Sequence, residues 1–166
     1  MARKLLILGA GQYGFVAKET AELMGSFDVI DFLDDNNCIA IGKLQDCVRF
    51  VSEYDTAFVA IGNPEVRMKY LNGARSFGYK IATIVHPTAV IMPSAKVSEG
   101  CIVEANAVVN SNAIVEQGCL ICAGAVVNHN AEVKKCCQID CNAVVSARAK
   151  VPAFTKVMSG SVYVAQ

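Results

Sequence analysis

The chain has 166 residues, of which 54% are hydrophobic and 18% charged, and its formal net charge is zero. This length suits one ordinary domain or two small ones, and the composition is that of a folded protein. The balanced charge argues against nucleic-acid binding. No apolar run approaches the ~20 residues that cross a bilayer. The apolar run at the start is too short for a secretory leader, so we expect a cytoplasmic protein.

The first half of the sequence alternates predicted strands with predicted helices. The strands are expected at residues 4–8, 27–33, 56–61 and 80–85, and the helices at 15–24, 44–52 and 64–77. Pro64 suits the first turn of its helix. Because strands that alternate with helices form a parallel sheet, we predict a Rossmann-like α/β domain over residues 1–82.

A glycine motif, Gly9-x-Gly11-x-x-Gly14, follows the first predicted strand. Such glycines allow a tight turn, and the helix start that follows offers N–H groups to a phosphate; the alternative is a plain structural turn. An acidic residue that would suit NAD is expected about twenty residues later. The candidates are Asp28, Asp31 and Asp34. The domain is too short for a full dinucleotide fold, so a nucleotide or nucleotide-linked sugar fits better.

Polar residues also follow the second and third predicted strands, where ligands bind in open α/β sheets. They are Asp34 with Asp35, and Gly62 with Asn63. Arg67, one turn into the next helix, could contact a phosphate or Asp35, or it could be an ordinary surface cation. These residues are therefore candidates for contact with a ligand.

The second half repeats every six residues. Thirteen positions are all Val or Ile: 85, 91, 97, 103, 109, 115, 121, 127, 133, 139, 145, 151 and 157. The residue four places after each of them is small, as expected for short strands that point Val or Ile inward and end in tight corners. Residues 83–166 are therefore predicted to form an all-β solenoid.

Cys101, Cys119 and Cys137 are eighteen residues apart, so they would stack in one column if three hexads make a coil. We expect them to be small buried hydrophobes. A Cys-x-x-Cys pair, Cys119 and Cys122, lacks the second pair that a structural zinc site needs, so no metal is predicted.

His129 lies two places after an inward Val127, in the stretch VVNHNAE, so its ring should point outward at a corner. A metal ligand is disfavoured because the chain has only two histidines, and His86 beside Pro87 is interpreted as structural. An imidazole ordinarily titrates near neutrality, which favours His129 as a general base over a lone surface histidine.

The order GAGQYG, FLDD, AIGNPEVR, IVHPTAV and then hexads with VVNHN resembles the bacterial nucleotide-sugar acetyltransferases. These include UDP-4-amino-sugar N-acetyltransferases and sialic acid O-acetyltransferase-like proteins of the left-handed β-helix superfamily. The resemblance covers essentially the whole chain. It implies a homotrimer, acetyl-CoA as co-substrate, and a UDP-linked amino sugar held by the first domain. In it, His129 would be the base, and Gln138 and Ala147 would contact acetyl-CoA. The nucleotide-sugar pocket would be lined by Gly9, Gly11, Gly14, Asp34, Asp35, Gly62 and Asn63.

Two departures from the family pattern stand out. Asn130 replaces the acidic residue that usually follows the histidine, so the ring lacks a charged partner, and Gln138 replaces a second histidine.

An acetyltransferase in surface glycan biosynthesis is the leading hypothesis, with N- and O-acetylation not separated. The alternatives are a non-catalytic nucleotide-sugar-binding trimeric scaffold or regulator and an NAD-binding protein. The sugar itself cannot be read from the sequence.

Overall fold

The structure, a computed structural model, describes residues 2–164. The chain separates into two compact units, Met1–Ile84 and Val85–Gln166. Among the described residues, none of the helices has the length and apolar character needed to cross a membrane.

The first unit is a four-stranded parallel sheet with two α-helices and one 3₁₀ helix. Its strands are β1 Lys4–Leu8, β2 Val29–Leu33, β3 Thr56–Val59 and β4 Lys80–Ile81, and the sheet order is β2-β1-β3-β4. The helices are α1 Gln12–Met24 and α2 Pro64–Ser76, and the 3₁₀ helix is Leu44–Phe50. The central strand β1 is buried from Leu5 to Leu8, which explains its unbroken apolar sequence.

Three details of this unit differ from the expectation. Helix α1 begins at Gln12 rather than near residue 15, because Gly11 is its N-cap. The segment expected as a helix at 44–52 is a 3₁₀ helix. The single strand expected at 80–85 is wrong: β4 ends at Ile81, pairs with β3, and is followed by a separate strand that belongs to a sheet of the second unit.

The second unit consists of short parallel strands in repeated sheets. The strands are β5 Ile84–Val85, β6 Val90–Ile91, β7 Lys96–Val97, β8 Ile102–Val103, β9 Val108–Val109, β10 Ile114–Val115, β11 Leu120–Ile121, β12 Val126–Val127, β13 Glu132–Val133, β14 Gln138–Ile139, β15 Val144–Val145, β16 Lys150–Val151, β17 Lys156–Val157 and β18 Val162–Tyr163. They form three sheets, in which each strand pairs with the one eighteen residues further on. Three hexads therefore make one coil, as predicted.

The interior of the coil confirms the predicted hexads. The second residue of every strand from β8 to β17 is buried in one core together with the small corner residues. Cys101, Cys119 and Cys137 are fully buried in this core, which confirms their predicted column. Their thiols donate to backbone carbonyls at 3.1, 3.1 and 2.9 Å.

The corners contain a second repeat of six that we did not predict. Every sixth residue from Gly100 to Gly160 has a positive φ, and the set is Gly100, Asn106, Asn112, Gly118, Gly124, Asn130, Cys136, Asn142, Arg148, Phe154 and Gly160. Glycine and asparagine tolerate this left-handed conformation best, and they fill eight of these eleven positions. Asn130, next to His129, is one of them.

Candidate active site

The loops that follow β1, β2 and β3 meet at the carboxyl edge of the parallel sheet. The Gly9 N–H donates to Leu33 O at 2.8 Å, and the Ala60 N–H donates to Leu8 O at 2.8 Å. The sheet order places β1 between β2 and β3, so this edge is a point where the strand order reverses. The structure thus brings together the three loops that sequence analysis assigned to one pocket.

The three motif glycines differ in their surroundings. A Cβ on Gly9, which has φ +110°, would lie 2.8 Å from Ala60 O, and a Cβ on Gly14 would collide with Gly9 O. A Cβ on Gly11 would meet nothing within 4 Å. Gly9 and Gly14 are therefore required by the close packing of the turn, whereas Gly11 leaves the exposed helix start open to a ligand.

Asp34 links the glycine loop to the loop after β2. Its Oδ2 accepts the Ala10 N–H at 2.7 Å, and its Oδ1 accepts the N–H groups of Asn36 and Asn37 at 2.8 and 2.9 Å. The Ala10 N–H, followed by the Asn36 N–H, holds the pKa of Asp34 below its usual value although burial opposes this. Both carboxylate oxygens of Asp34 therefore accept backbone N–H groups, and they hold the two loops together.

Asn37 completes this link, and sequence analysis missed it. Its Nδ2 donates to Ala10 O at 2.7 Å, so both polar backbone atoms of Ala10 are bound by side chains from one loop. The run Asp34-Asp35-Asn36-Asn37 after a strand was the available signal, because Asp and Asn commonly hydrogen-bond nearby backbone in turns. Asp35 is exposed, and its Oδ1 accepts the Leu44 N–H at 3.1 Å.

Gly62 and Asn63 form the start of α2. Asn63 is the N-cap, and its Oδ1 accepts the Val66 N–H at 2.9 Å, while Pro64 lies in the first turn as predicted. Both Gly62 and Asn63 are exposed at the sheet edge. Asn63 therefore has a structural role as the cap of α2 in addition to its exposed position.

The interpretation of Arg67 as an ordinary surface cation is wrong. Its side chain is fully buried, and its Nη1 donates to Ile61 O at 2.7 Å and Gly62 O at 2.8 Å. A buried guanidinium is stable only when it is hydrogen-bonded, and backbone carbonyls supply that here. Arg67 also has no surface with which to meet a phosphate from solvent, so it can serve the pocket only by holding the loop after β3.

His129 lies at the corner that follows β12, and it is exposed as predicted. Its backbone is fixed from two sides: the His129 N–H donates to Asn128 Oδ1 at 2.8 Å, and the Arg148 N–H donates to His129 O at 3.2 Å. The ring is close to a polar neighbour, since Nδ1 lies 3.4 Å from Asn130 Nδ2. An exposed imidazole on a rigid corner is suited to removing a proton from a substrate.

Asn130 suits both the left-handed backbone conformation of the corner and a contact with the imidazole ring of His129. It has φ +58°, and its N–H donates to Ser111 O at 3.0 Å, so it closes the corner in the left-handed conformation. An amide, unlike a carboxylate, can either donate to or accept from Nδ1, so it does not select one imidazole tautomer. This explains how the departure from the family pattern changes the environment of the ring.

Gln138 and Ala147 lie at different places on the coil. Ala147 is eighteen residues after His129, hence in the same corner one coil further on, as the register of β12 with β15 requires. Gln138 lies on β14, in another sheet, and its Nε2 donates to Cys122 Sγ at 3.9 Å.

No group of three or more metal-binding side chains is found among residues 2–164. His86 Nδ1 accepts the Thr88 N–H at 3.1 Å, which is a structural role.

Comparisons with known proteins agree with this architecture. Residues 4–74 match the family described as the PglD N-terminal domain. The acetyltransferase domain of PglB from Neisseria gonorrhoeae is 26% identical, with a TM-score of 0.76 over 98% of this chain and 92% of that one. The same domain in complex with acetyl coenzyme A gives 27% identity and a TM-score of 0.69 over 99% and 89%. PerB from Caulobacter crescentus, in complex with CoA and GDP-perosamine, shares the fold at 24% identity, with a TM-score of 0.75 over 98% and 89%.

The fold and these matches define the class of the protein: it is an acyltransferase. Within that class, the chain is similar to the bacterial nucleotide-sugar N-acetyltransferases, which confirms the resemblance seen in its sequence motifs. The acetyl-CoA dependence expected of the class agrees with these relatives.

Proposed function

We propose that the chain transfers acetyl from acetyl-CoA to an amino or hydroxyl group of a nucleotide-linked sugar in bacterial surface glycan biosynthesis. The observation that carries this proposal is the exposed imidazole of His129, fixed on a corner of a coil whose fold matches an acetyl-CoA-bound acetyltransferase domain. Residues 1–82 would hold the nucleotide sugar, and residues 83–166 would carry out the transfer.

In this reaction His129 removes a proton as the acceptor nitrogen or oxygen attacks the thioester carbonyl. The new C–N or C–O bond forms, the C–S bond breaks, and the proton passes on to the CoA thiolate. A positioned base contributes ~10²–10⁴-fold. Gln138 and the backbone N–H of Ala147 are proposed to contact acetyl-CoA, and the latter would stabilise negative charge on the thioester oxygen.

The pocket for the nucleotide sugar is proposed at the carboxyl edge of the first unit. Gly9, Gly11, Gly14, Asp34, Asp35, Gly62, Asn63 and Arg67 are the predicted residues. Their contacts support different roles: Gly11 and the start of α1 are open to a phosphate, whereas Asp34 and Arg67 support the loops around it. The predicted sugar is UDP-linked, and the GDP-linked substrate of PerB is the competing choice.

A homotrimer is proposed from an apolar stripe on one sheet. The first residues of β6, β9, β12, β15 and β18 are all valines in register, and they point away from the core. Val90 and Val162 are 48% and 60% exposed. A row of valines on a flat sheet is suited to contact with another subunit. Val126, the middle valine of this row, lies three residues before His129. Sedimentation analysis, which measures the mass of the assembly, tests the proposed trimer.

Three finer features belong to the same proposal. The coil is inferred to be a left-handed β-helix, which the likeness to the solved acetyltransferases supports, and the first unit to be Rossmann-like, which its parallel sheet supports. A cytoplasmic location is supported by the eight cysteines, all of which are free thiols.

A non-catalytic nucleotide-sugar-binding trimeric scaffold or regulator is the second candidate. The contact that favours it is the 3.4 Å approach between His129 Nδ1 and Asn130 Nδ2, because it brings no negative charge to stabilise an imidazolium. An NAD-binding protein is less well supported, since Asp31 accepts the Tyr54 hydroxyl at 2.6 Å and Asp28 accepts the Arg3 N–H at 2.7 Å.

The deciding experiment is mass spectrometry of reaction mixtures. The protein is incubated with acetyl-CoA and a panel of UDP- and GDP-linked 4-amino sugars, and the His129→Ala variant is run beside it. We expect an acetylated product with the wild type alone, and its fragmentation identifies an N- or O-acetyl group. Nucleotide-sugar binding without product from any acceptor would support the scaffold.

A further inference from the structure

A column of polar side chains lies at the corner that follows one sheet of the coil. Residues 86, 104, 122 and 140 come directly after β5, β8, β11 and β14, so the register of these strands stacks them. Two members are deeply buried: Glu104 is 9% exposed and Cys122 is 3% exposed. A buried carboxylate beside a buried thiol is unusual enough to require an account.

Cys122, one member of this column, is hydrogen-bonded to Gln138. Gln138 Nε2 donates to Cys122 Sγ at 3.9 Å, and Glu104 lies one coil before Cys122 in the same column, where its carboxylate helps to raise the pKa of the thiol. Glu104 Oε2 in turn accepts the Ala123 N–H at 3.1 Å, which anchors the inner end to the backbone. Glu104 and Cys122 are therefore neighbours in one column: the backbone holds the carboxylate, and the thiol is hydrogen-bonded to a residue predicted to contact acetyl-CoA.

The electrostatic environment keeps the thiol of Cys122 neutral. Burial, and then the carboxylates of Glu104 and Asp140, raise the pKa of this thiol. A neutral thiol is a poor nucleophile, because the thiolate is the reactive form. Cys122 is thus suited to pass a hydrogen bond between the carboxylate and the amide, and not to accept an acetyl group from a thioester.

We propose that Glu104 and Cys122 are positioning residues that orient the amide of Gln138 toward acetyl-CoA. A glutamine side chain has several rotatable bonds, and holding one N–H against Cys122 Sγ leaves Oε1 and the second N–H to face a ligand with amide or thioester groups. This inference rests on the proposed function, because it assigns Gln138 to the acetyl-CoA site.

The test compares steady-state kinetics of Cys122→Ala, Cys122→Ser and Gln138→Ala with those of the wild type. Cys122→Ala should raise the KM for acetyl-CoA by about 3- to 10-fold, the factor that corresponds to one hydrogen bond, with a smaller change in the KM for the sugar. Cys122→Ser should restore most of the affinity, since a hydroxyl can accept from Gln138 and donate to Glu104. The double variant Cys122→Ala/Gln138→Ala should be no worse than Gln138→Ala alone.

The matched control is Cys119→Ala, the same change at a buried thiol that donates to Lys134 O and not to Gln138. It should lower stability without changing the KM for acetyl-CoA. Equal kinetic effects of Cys119→Ala and Cys122→Ala would overturn the inference while the proposed function stands.

Calorimetry of acetyl-CoA binding distinguishes a failure of the proposed function from a failure of the positioning role. If the wild type binds acetyl-CoA but turns over no acceptor, the proposed function fails, and weaker binding by Cys122→Ala than by Cys119→Ala still upholds the inference. If the wild type neither binds nor turns over, both are overturned. Acetylated Cys122 in peptides from protein incubated with acetyl-CoA would also contradict a positioning role.

Discussion

The two candidate regions, the loops at the edge of the first unit and the corner of the coil at His129, differ in how many of their polar atoms are already hydrogen-bonded. At the edge of the first unit, the side chains of Asp34, Asn63 and Arg67 are each hydrogen-bonded to backbone atoms. On the coil, the ring of His129 is exposed and has one weak polar neighbour. We therefore expect changes in the first unit to act mainly through folding and loop position, and a change at His129 to act mainly on the proposed chemistry.

The largest expected effect is that of His129→Ala on turnover. Loss of a general base should lower kcat/KM by ~10²–10⁴-fold. Because the side chain is exposed, the free energy of unfolding should stay within about 0.5 kcal/mol of the wild type. Kinetics with acetyl-CoA and urea unfolding measure the two quantities.

His86→Ala is the control for this prediction, because His86 is the other histidine of the chain. It removes the acceptor of the Thr88 N–H and should cost about 1 kcal/mol of stability while turnover falls by only a few-fold. Equal losses of turnover in both variants would mean that His129 is not the base.

Arg67→Ala should have the largest effect on stability. It leaves the carbonyls of Ile61 and Gly62 without a buried donor and opens a cavity, so we expect a loss of about 3 kcal/mol or more. Arg75→Ala, at an exposed arginine of the same helix, should cost no more than about 0.5 kcal/mol. A small loss for Arg67→Ala in urea unfolding would contradict the supporting role given to its guanidinium.

Asp34→Asn should weaken the link between the two loops in a pH-dependent way. The pKa of Asp34 is lowered in the folded protein, so its contribution is fully present above the unfolded-state pKa of about 3.9 and is lost as the pH falls through the folded-state pKa. The variant should therefore be less stable by about 1–3 kcal/mol at neutral pH, and the gap should narrow below about pH 4.

Thermal or urea unfolding across pH 3–7 measures this gap, with Asp35→Asn as the neighbouring control. Asp35 is exposed, and an asparagine keeps an oxygen for the Leu44 N–H, so that variant should differ from the wild type by about 0.5 kcal/mol or less. A gap that stays constant with pH would show that the charge of Asp34 is not what holds the loops.

The smallest expected effect is that of Asn130→Asp on turnover. A carboxylate can only accept from Nδ1–H, so it fixes the tautomer that leaves Nε2 free as the base, and it stabilises the imidazolium. We expect kcat to rise a few-fold, with little change in stability because aspartate tolerates the left-handed conformation.

Asn112→Asp is the matched control, since Asn112 occupies the same corner one coil earlier with φ 57° and follows Ser111 instead of a histidine. It should leave kcat unchanged. A fall in kcat for Asn130→Asp, with Asn112→Asp neutral, would mean that the amide itself contacts the substrate.

Much of this architecture could be predicted from local patterns. The inward Val and Ile of the hexads and the buried run Leu5 to Leu8 are side-chain periodicities, and periodicity determines which face of a strand is buried. The corner repeat of asparagine and glycine was also present in the sequence, and recognising it would have shown that Asn130 closes a turn. The exposed position of His129 followed from its distance to Val127.

The burial of Arg67 and the contacts of Asp34 could not be predicted in this way. Charged side chains are seldom fully buried, so a sequence offers no reason to bury Arg67 until the Ile61 and Gly62 carbonyls are seen to converge on it. The bond from Asp34 to Ala10 joins residues 24 positions apart, and the direction of a carboxylate depends on where the neighbouring loop lies.

By itself, the sequence determined the repeat of the coil, the alternation of strands and helices before it, and the class of protein that its ordered motifs resemble, because these depend on spacing along the chain. Only the tertiary structure decided which polar groups are hydrogen-bonded to the backbone and which of the glycines has free space around it. It also decided that Gln138 is hydrogen-bonded to Cys122, the neighbour of Glu104 in its column. Hydrogen bonds between distant residues depend on orientation, and orientation exists only once the coils and loops are stacked.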